Sequence, residues 1–192
     1  MEKFRQQFSN YNIIFACKTG SELFCDNCKD TDFLVVVGNL NRATKSHRIE
    51  DTDYFCMSVE AFIKRATMQS GKFYDLYSIS FLYGEVVEGQ NPIANYDWFA
   101  LKQRAIEVAL RCGNQNYFSK NVKIVNDLGD QICGKRMVWA LAIYYTILNG
   151  STTFTDEQKQ VMQLCHDKQL PREKADWLRE QLQALLDNQV VV

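Results

Sequence analysis

Two aspartates one residue apart, Asp30 and Asp32, stand at the head of the apolar run FLVVV, and a Gly-Ser pair, Gly20 and Ser21, precedes them by eight intervening residues. Side chains alternate along a strand, so Asp30, Asp32, Leu34 and Val36 are expected on one face and Thr31, Phe33, Val35 and Val37 on the other. The two carboxylates then meet just beyond the apolar end of a buried strand, where they repel one another unless a cation neutralises them. Hard oxygen donors of this kind suit Mg²⁺ or Mn²⁺. Carboxylates gathered on such a cation can hold a triphosphate and activate an attacking oxygen. Gly20 lets the backbone come close to a ligand, and the N–H groups and hydroxyl of the Gly20–Ser21 turn can bind phosphate oxygens. Lys18, two residues before that turn, is a further candidate for a phosphate.

Other residue clusters invite other chemistry. Cys25 and Cys28, in CDNC, have the spacing of half a zinc knuckle, but a structural zinc needs four ligands and the chain has neither a second C-x-x-C nor a nearby His pair. Gly, Ser, Asp and Asn also favour plain turns, so the same segment could simply cap a strand end. His47 and His166 read as surface histidines. Arg42, Lys45 and Arg48 read as a solvated charge run, with guidance of an acceptor's phosphates as the alternative. The aromatics Phe73, Tyr74, Tyr77, Phe81 and Tyr83 read as core rather than as a base-stacking platform.

The elements that must position these residues follow from the pattern. NIIFAC, at 12 to 17, and FLVVV, at 33 to 37, read as two buried strands joined through the Gly-Ser segment. The polar stretch 38 to 53 reads as a long exposed loop, followed by a short strand at 54 to 57. Ser58 caps a helix from about 59 to 69, with Glu60 in its first turn. The FYDLYSISFLYGEVVEG segment reads as strand, and Phe4 with Phe8 suggests a short amphipathic helix at the start. From Asp97 the pattern turns helical. Leu101, Ala105, Val108, Ala109 and Cys112 form one stripe, and KRMVWALAIYYTILNG is apolar nearly all round, as a central buried helix would be. Thr155 and Gln158 form a capping box, and Pro171 opens a last helix with Ala175, Leu178, Leu182 and Leu185 on one face.

Composition narrows the classes further. With 46% hydrophobic and 23% charged residues among 192, the chain has the make-up of an ordered protein with one core or two that share it. A net charge of -1 provides no overall positive field for a nucleic-acid backbone, so such a partner needs a local patch. Neither a signal-peptide core nor an apolar run of membrane-spanning length is visible, and the seven scattered cysteines suit reduced thiols. A cytoplasmic protein without membrane contact is the expectation; the apolar tail Val190 to Val192 leaves oligomeric state open.

The order Gly-Ser, eight residues, Asp-Thr-Asp, then FLVVV resembles the signature of the DNA polymerase β-type nucleotidyltransferase superfamily, and most its small stand-alone bacterial and phage-type members. Gly20, Ser21, Asp30 and Asp32 match that signature residue by residue. The resemblance implies an α+β fold, with a small mixed-sheet nucleotidyltransferase core over residues 1–90 and a helical bundle over 91–192 packed on it. It implies a third carboxylate on the next strand, for which Asp53 fits best, with Asp51 and Glu50 behind it. It also implies basic phosphate contacts at the start of a long apolar helix, where Lys135 and Arg136 stand. The implied activity is transfer of a nucleoside monophosphate from an NTP, with Mg²⁺ or Mn²⁺ on Asp30 and Asp32, to an acceptor that could be RNA (tRNA among the candidates), a protein or a small molecule. The chain departs from the family pattern at Cys25 and Lys29, where relatives often carry Gly and Ser. A second reading therefore stands beside the first: a nucleotide-binding or protein-binding module on the same fold, with weak or no catalysis.

Overall fold

The computed structural model describes residues 5–6, 8–25, 28–67, 80–93, 96–111 and 134–187, without the side chains of Arg111, Lys135 and Arg136. Phe4, Phe73, Tyr74, Tyr77, Cys112 and the 190–192 tail, all singled out above, lie outside the described residues. The chain divides into two compact units, Met1–Tyr96 and Asp97–Val192.

The first unit is built on a five-stranded mixed sheet. The strands are β1 (Ile13–Thr19), β2 (Thr31–Val37), β3 (Thr44–Ile49), β4 (Thr52–Ser58) and β5 (Glu85–Gly89), in the order β3-β4-β2-β1-β5. The two apolar runs form strands as expected; β1 and β2 pair antiparallel, whereas β2 and β4 pair parallel. A parallel pair needs a crossover, and the stretch expected as a loop supplies it: residues 44–49 form β3, antiparallel to β4 on the edge of the sheet. The sequence reading missed β3 because an edge strand, solvated on both sides, carries no apolar alternation and is typically marked by charge. In β3, Lys45 and Arg48 are exposed and Ile49 is half-buried.

Both faces of this sheet are apolar. On one face Phe8 packs with Ala16, Val35, Val37, Tyr54 and Cys56, and the rings of Phe33 and Tyr54 stack with centroids 5.4 Å apart. On the other lies helix α1 (Val59–Ala66), whose fully buried Phe62 meets Phe15 of β1 at 6.0 Å and Phe81 at 5.1 Å between ring centroids. Ser58 caps α1 as expected, its hydroxyl accepting from the Ala61 N–H at 3.2 Å. The helix ends at Ala66 with Thr67 as cap, three residues short of the expected end at 69. Within the segment expected as strand around 73 to 89, the described residues form a short 3₁₀ turn, Ser80–Leu82, and then β5.

The second unit is helical, with α2 (Trp98–Arg111), α3 (Lys135–Asn149), α4 (Asp156–His166) and α5 (Arg172–Leu186). The α2 stripe of Leu101, Ala105, Val108 and Ala109 is buried, and α3 is buried along Met137 to Thr146. α3 stops at Gly150, which takes φ 62, the left-handed conformation a glycine adopts without the β-carbon penalty. The Thr155–Gln158 capping box closes reciprocally at the start of α4. In α5, Leu178 and Leu182 are buried, while Ala175 and Leu185 are half-buried. Among the described residues no helix is long and apolar enough to cross a membrane.

Candidate functional site

The strand registers place four side chains in one row across the first unit's sheet. Thr19 of β1 stands opposite Asp32 of β2, Asp32 opposite Asp53 of β4, and Asp53 opposite Arg48 of β3. Residues directly opposite on neighbouring strands share a face, and the strands run about 4.8 Å apart. Asp32 and Asp53 are therefore direct neighbours on one face, at the N-terminal ends of two parallel strands. Alternation puts them on the face of Leu34 and Val36, as expected for Asp32. Exposure rises along β2 towards this end: Leu34 to Val37 are buried, whereas Asp32, like Asp53 on β4, is half-buried.

The row is bounded on one side by the turn after β1. Gly20 has φ +84, and a β-carbon added there would overlap Asp32 Oδ2 and lie 2.9 Å from Asp32's own β-carbon. Only glycine fits this close approach with that backbone. Buried Thr19 fastens the same corner, its hydroxyl donating to the Asp32 carbonyl at 3.5 Å. On the opposite side, Arg48 Nη1 lies 3.3 Å from Asp53 Oδ2. Asp32 thus packs against Gly20, and Asp53 is paired with Arg48 of β3.

Asp30 sits one residue outside β2, half-buried, in the loop rather than on the strand. Its charge acts on the neighbouring Cys28 thiol, which burial, before all else, pushes up to about 11; the Ser21 hydroxyl, hydrogen-bonded to the same sulfur, pulls the other way. Cys25 and Cys28 are neighbouring free thiols, and Cys25 is buried. Ser21 opens a 3₁₀ turn, Ser21–Leu23, directly after Gly20. Lys18 stands opposite Phe33 in the β1–β2 register, which puts it on the face away from Asp32. There Lys18 Nζ donates to Glu22 Oε1 at 2.8 Å. That ion pair and hydrogen bonds from Lys18 and Thr31 hold the Glu22 carboxyl below its usual range, against the opposing effect of its partial burial.

Gly20, Ser21, Asp30, Asp32 and Asp53 thus gather at one end of the sheet, whereas Lys18 turns to the other face. Of the fallback acids, Glu50 and Asp51 form the two-residue β3–β4 turn, and the Asp51 carbonyl accepts from the Thr31 N–H at 2.9 Å. Lys135 and Arg136 open α3 in the second unit, and their side chains lie outside the described residues. Thr19 is an addition to the sequence reading, and Arg48, read there as part of a charge run, gains a specific partner in Asp53. The five-residue spacing of Arg48 and Asp53 around a turn at Glu50–Asp51 was the signal that could have found Arg48. Among the described residues no group of three or more His, Cys, Asp or Glu side chains is drawn together closely enough to hold a metal ion. The donors present in the row are two carboxylates in adjacent positions, which matches the one or two carboxylates with which Mg²⁺ is usually held, the remaining positions going to water and substrate phosphates.

No protein-family model matches the chain. No curated protein matches it. Among solved structures, one similar chain is the crystal structure of a nucleotidyltransferase-like protein from Exiguobacterium sibiricum 255-15, at 9% identity and a TM-score of 0.32, covering 98% of this chain and 76% of that one. At that TM-score the likeness carries no argument about activity; what the chain's own coordinates show is an α+β fold with a five-stranded mixed sheet and C-terminal helices.

Proposed function

We propose that the chain is a nucleotidyltransferase that uses Mg²⁺ or Mn²⁺ to move a nucleoside monophosphate from a nucleoside triphosphate to an acceptor hydroxyl or phosphate. The observation that carries this reading is the register of Asp32 with Asp53 on neighbouring parallel strands, beside a Gly20 turned at φ +84 against Asp32. Asp30 and Asp32 are the residues that would hold the cation. A bound divalent cation supplies charge neutralisation and Lewis acidity at the phosphoryl oxygens. Gly20 and Ser21 bind the β and γ phosphates through backbone N–H groups and the Ser21 hydroxyl. With a hydroxyl acceptor, Asp53 takes its proton while its oxygen bonds to the α-phosphorus; the bond from that phosphorus to the bridging oxygen breaks, and pyrophosphate leaves. Lys18, tied to Glu22, steadies the Gly20–Ser21 turn in this scheme. The acceptor is an RNA, a protein or a small molecule, with tRNA and protein the first to screen.

The test is the rise in melting temperature on adding each NTP with Mg²⁺, for the wild type and for D30N/D32N, since a ligand that binds the folded state alone raises it. A metal-dependent rise abolished in the variant supports the site and justifies an acceptor screen with α-labelled NTP. No rise with any nucleotide in a folded wild type defeats the proposal. The second reading, a nucleotide-binding or protein-binding module, is favoured by one observation: Asp53, the acid that would take the acceptor's proton, is paired with Arg48. A nucleotide-dependent rise with no transfer to any acceptor class would select it.

A further inference from the structure

The segment between the Gly20–Ser21 turn and Asp30 carries two thiols that the transfer reaction leaves unused. Cys25 follows the 3₁₀ turn after Phe24, whose N–H bonds the Ser21 carbonyl at 3.1 Å, and both Phe24 and Cys25 are buried. Cys28, two residues before Asp30, is half-buried. Both thiols are free, their sulfurs lie within hydrogen-bonding reach of one another, and the Ser21 hydroxyl bonds the Cys28 sulfur. Of the other described cysteines, Cys17, Cys56 and Cys165 are all buried, which leaves Cys28 as the accessible thiol among them. An accessible thiol against a buried one suits thiol–disulfide exchange: the first meets the oxidant and the second resolves the mixed disulfide.

The position of the pair matters as much as its contact. Cys25 is fixed to the turn that carries Ser21, and Cys28 to the chain that leads through Asp30 into β2, so a bond between them ties the two halves of the site together. A disulfide holds its sulfurs about 2.05 Å apart, well inside a thiol–thiol contact. Closing it draws the Cys28 sulfur towards Cys25 and takes from Ser21 the thiol it holds. Cys25 is also one of the two positions at which the chain departs from the pattern it resembles.

We infer that Cys25 and Cys28 are a reversible redox site, closed by a small-molecule disulfide, whose closure weakens metal-dependent nucleotide binding by Ser21 and Asp30. The effect on the nucleotide rests on the nucleotidyltransferase reading. The Cys28 thiol gives its proton to solvent and its sulfur attacks one sulfur of the small disulfide; that S–S bond breaks, and the departing small thiolate takes up a proton. Cys25 then gives up its proton, its sulfur attacks Cys28, and the second small thiol leaves. Two protein thiols are oxidised, and one small disulfide is reduced to two thiols. Burial keeps the Cys28 thiol protonated at neutral pH, so the exchange is slow and the dithiol is the resting form.

The experiment treats the whole folded chain with oxidised glutathione and reads peptide mass and thermal shift. Trypsin cuts after Lys18 and Lys29, so both thiols fall in the one peptide Thr19–Lys29. Its mass is expected to drop by two hydrogens and to recover with dithiothreitol. The metal-dependent rise in melting temperature with NTP is expected to fall at least about twofold on oxidation and to return on reduction. C25A and C28S, neither able to bridge, are expected to keep the rise under the same oxidant. A peptide that holds glutathione on Cys28 without forming the internal bond would overturn the inference, as would a bridged protein that keeps the full rise. A loss that persists in C25A would place the effect on another cysteine and overturn it too. So would a bridged protein that no longer melts cooperatively without ligand, because the loss would then be unfolding. If the reduced wild type shows no rise with any nucleotide, the nucleotidyltransferase reading falls and the effect on nucleotide binding with it, while the peptide mass still decides the redox site.

Discussion

Gly20 shows how one residue can carry both the fold and the site. Its φ of +84 lies in the region closed to most side chains, and the space a β-carbon would fill is taken by the carboxyl end and β-carbon of Asp32. A short side chain anchored on a central strand cannot step aside as the far end of a lysine could. G20A is therefore expected to lower the unfolding free energy by about 2 kcal/mol, from the left-handed backbone and the overlap together. It is also expected to lose the metal-dependent thermal shift with NTP. Urea unfolding monitored by circular dichroism, with the shift measured in parallel, checks both. A G20A protein with wild-type stability and a full shift would mean that Asp32 does not depend on this turn. The Gly-Ser and Asp-x-Asp residues were legible in the sequence because their spacing ahead of an apolar strand resembles a known signature. Arg48 was not, because its partner is chosen by a hairpin whose outer strand has no apolar alternation to reveal it.

At the scale of the element, local rules held wherever a helix end was set by side chains near in sequence. Ser58, the Thr155–Gln158 box and Gly150 all do what their positions predicted. The end of α4 shows the same logic with a less suitable residue. The Gln169 N–H bonds the Leu164 carbonyl at 2.8 Å and the Lys168 N–H bonds the Cys165 carbonyl at 3.1 Å, a Schellman turn with Lys168 at φ 59. Lysine bears a β-carbon penalty in that conformation, and Lys168 is exposed. K168G is expected to stabilise the protein by about 0.5–1 kcal/mol, the left-handed relief less the extra chain entropy of glycine. A shift in urea midpoint at constant slope measures it, and a loss of stability would show that the Lys168 side chain makes a contribution larger than that relief. Strands obeyed local rules less well. β1, β2 and the core of β4 were readable from apolar runs, but β3 forms because β4 offers it a partner, a property of the pair and not of TKSHRI alone.

Across the whole molecule, burial of neutral acids sets the pH range of stability. Burial pushes the Cys56 thiol from 9.0 up to about 11, against a small opposing pull from Lys45, and raises the Cys17 thiol as well. In the helical unit burial likewise raises the Tyr145 hydroxyl. A group whose folded pKa lies above its unfolded value contributes stability that is complete below the unfolded value and is lost as pH climbs through the folded one. The melting temperature is therefore expected to hold up to about pH 9 and to fall between about pH 9 and 11, the window between the Cys56 values. C56A is expected to flatten that decline at some cost in core packing, and a level profile across the window in the wild type would contradict the account. The sequence alone determined what depends on near neighbours: the two apolar strands β1 and β2 with the Gly-Ser segment between them, the helix caps, the apolar stripes of α2 and α3, and the residue types that suit a phosphate and a hard cation. Tertiary structure alone decided which face Lys18 takes, that β3 exists, and that Arg48 sits on Asp53 while Gly20 cradles Asp32. These depend on the register between paired strands, where a shift of one residue turns every side chain to the opposite face.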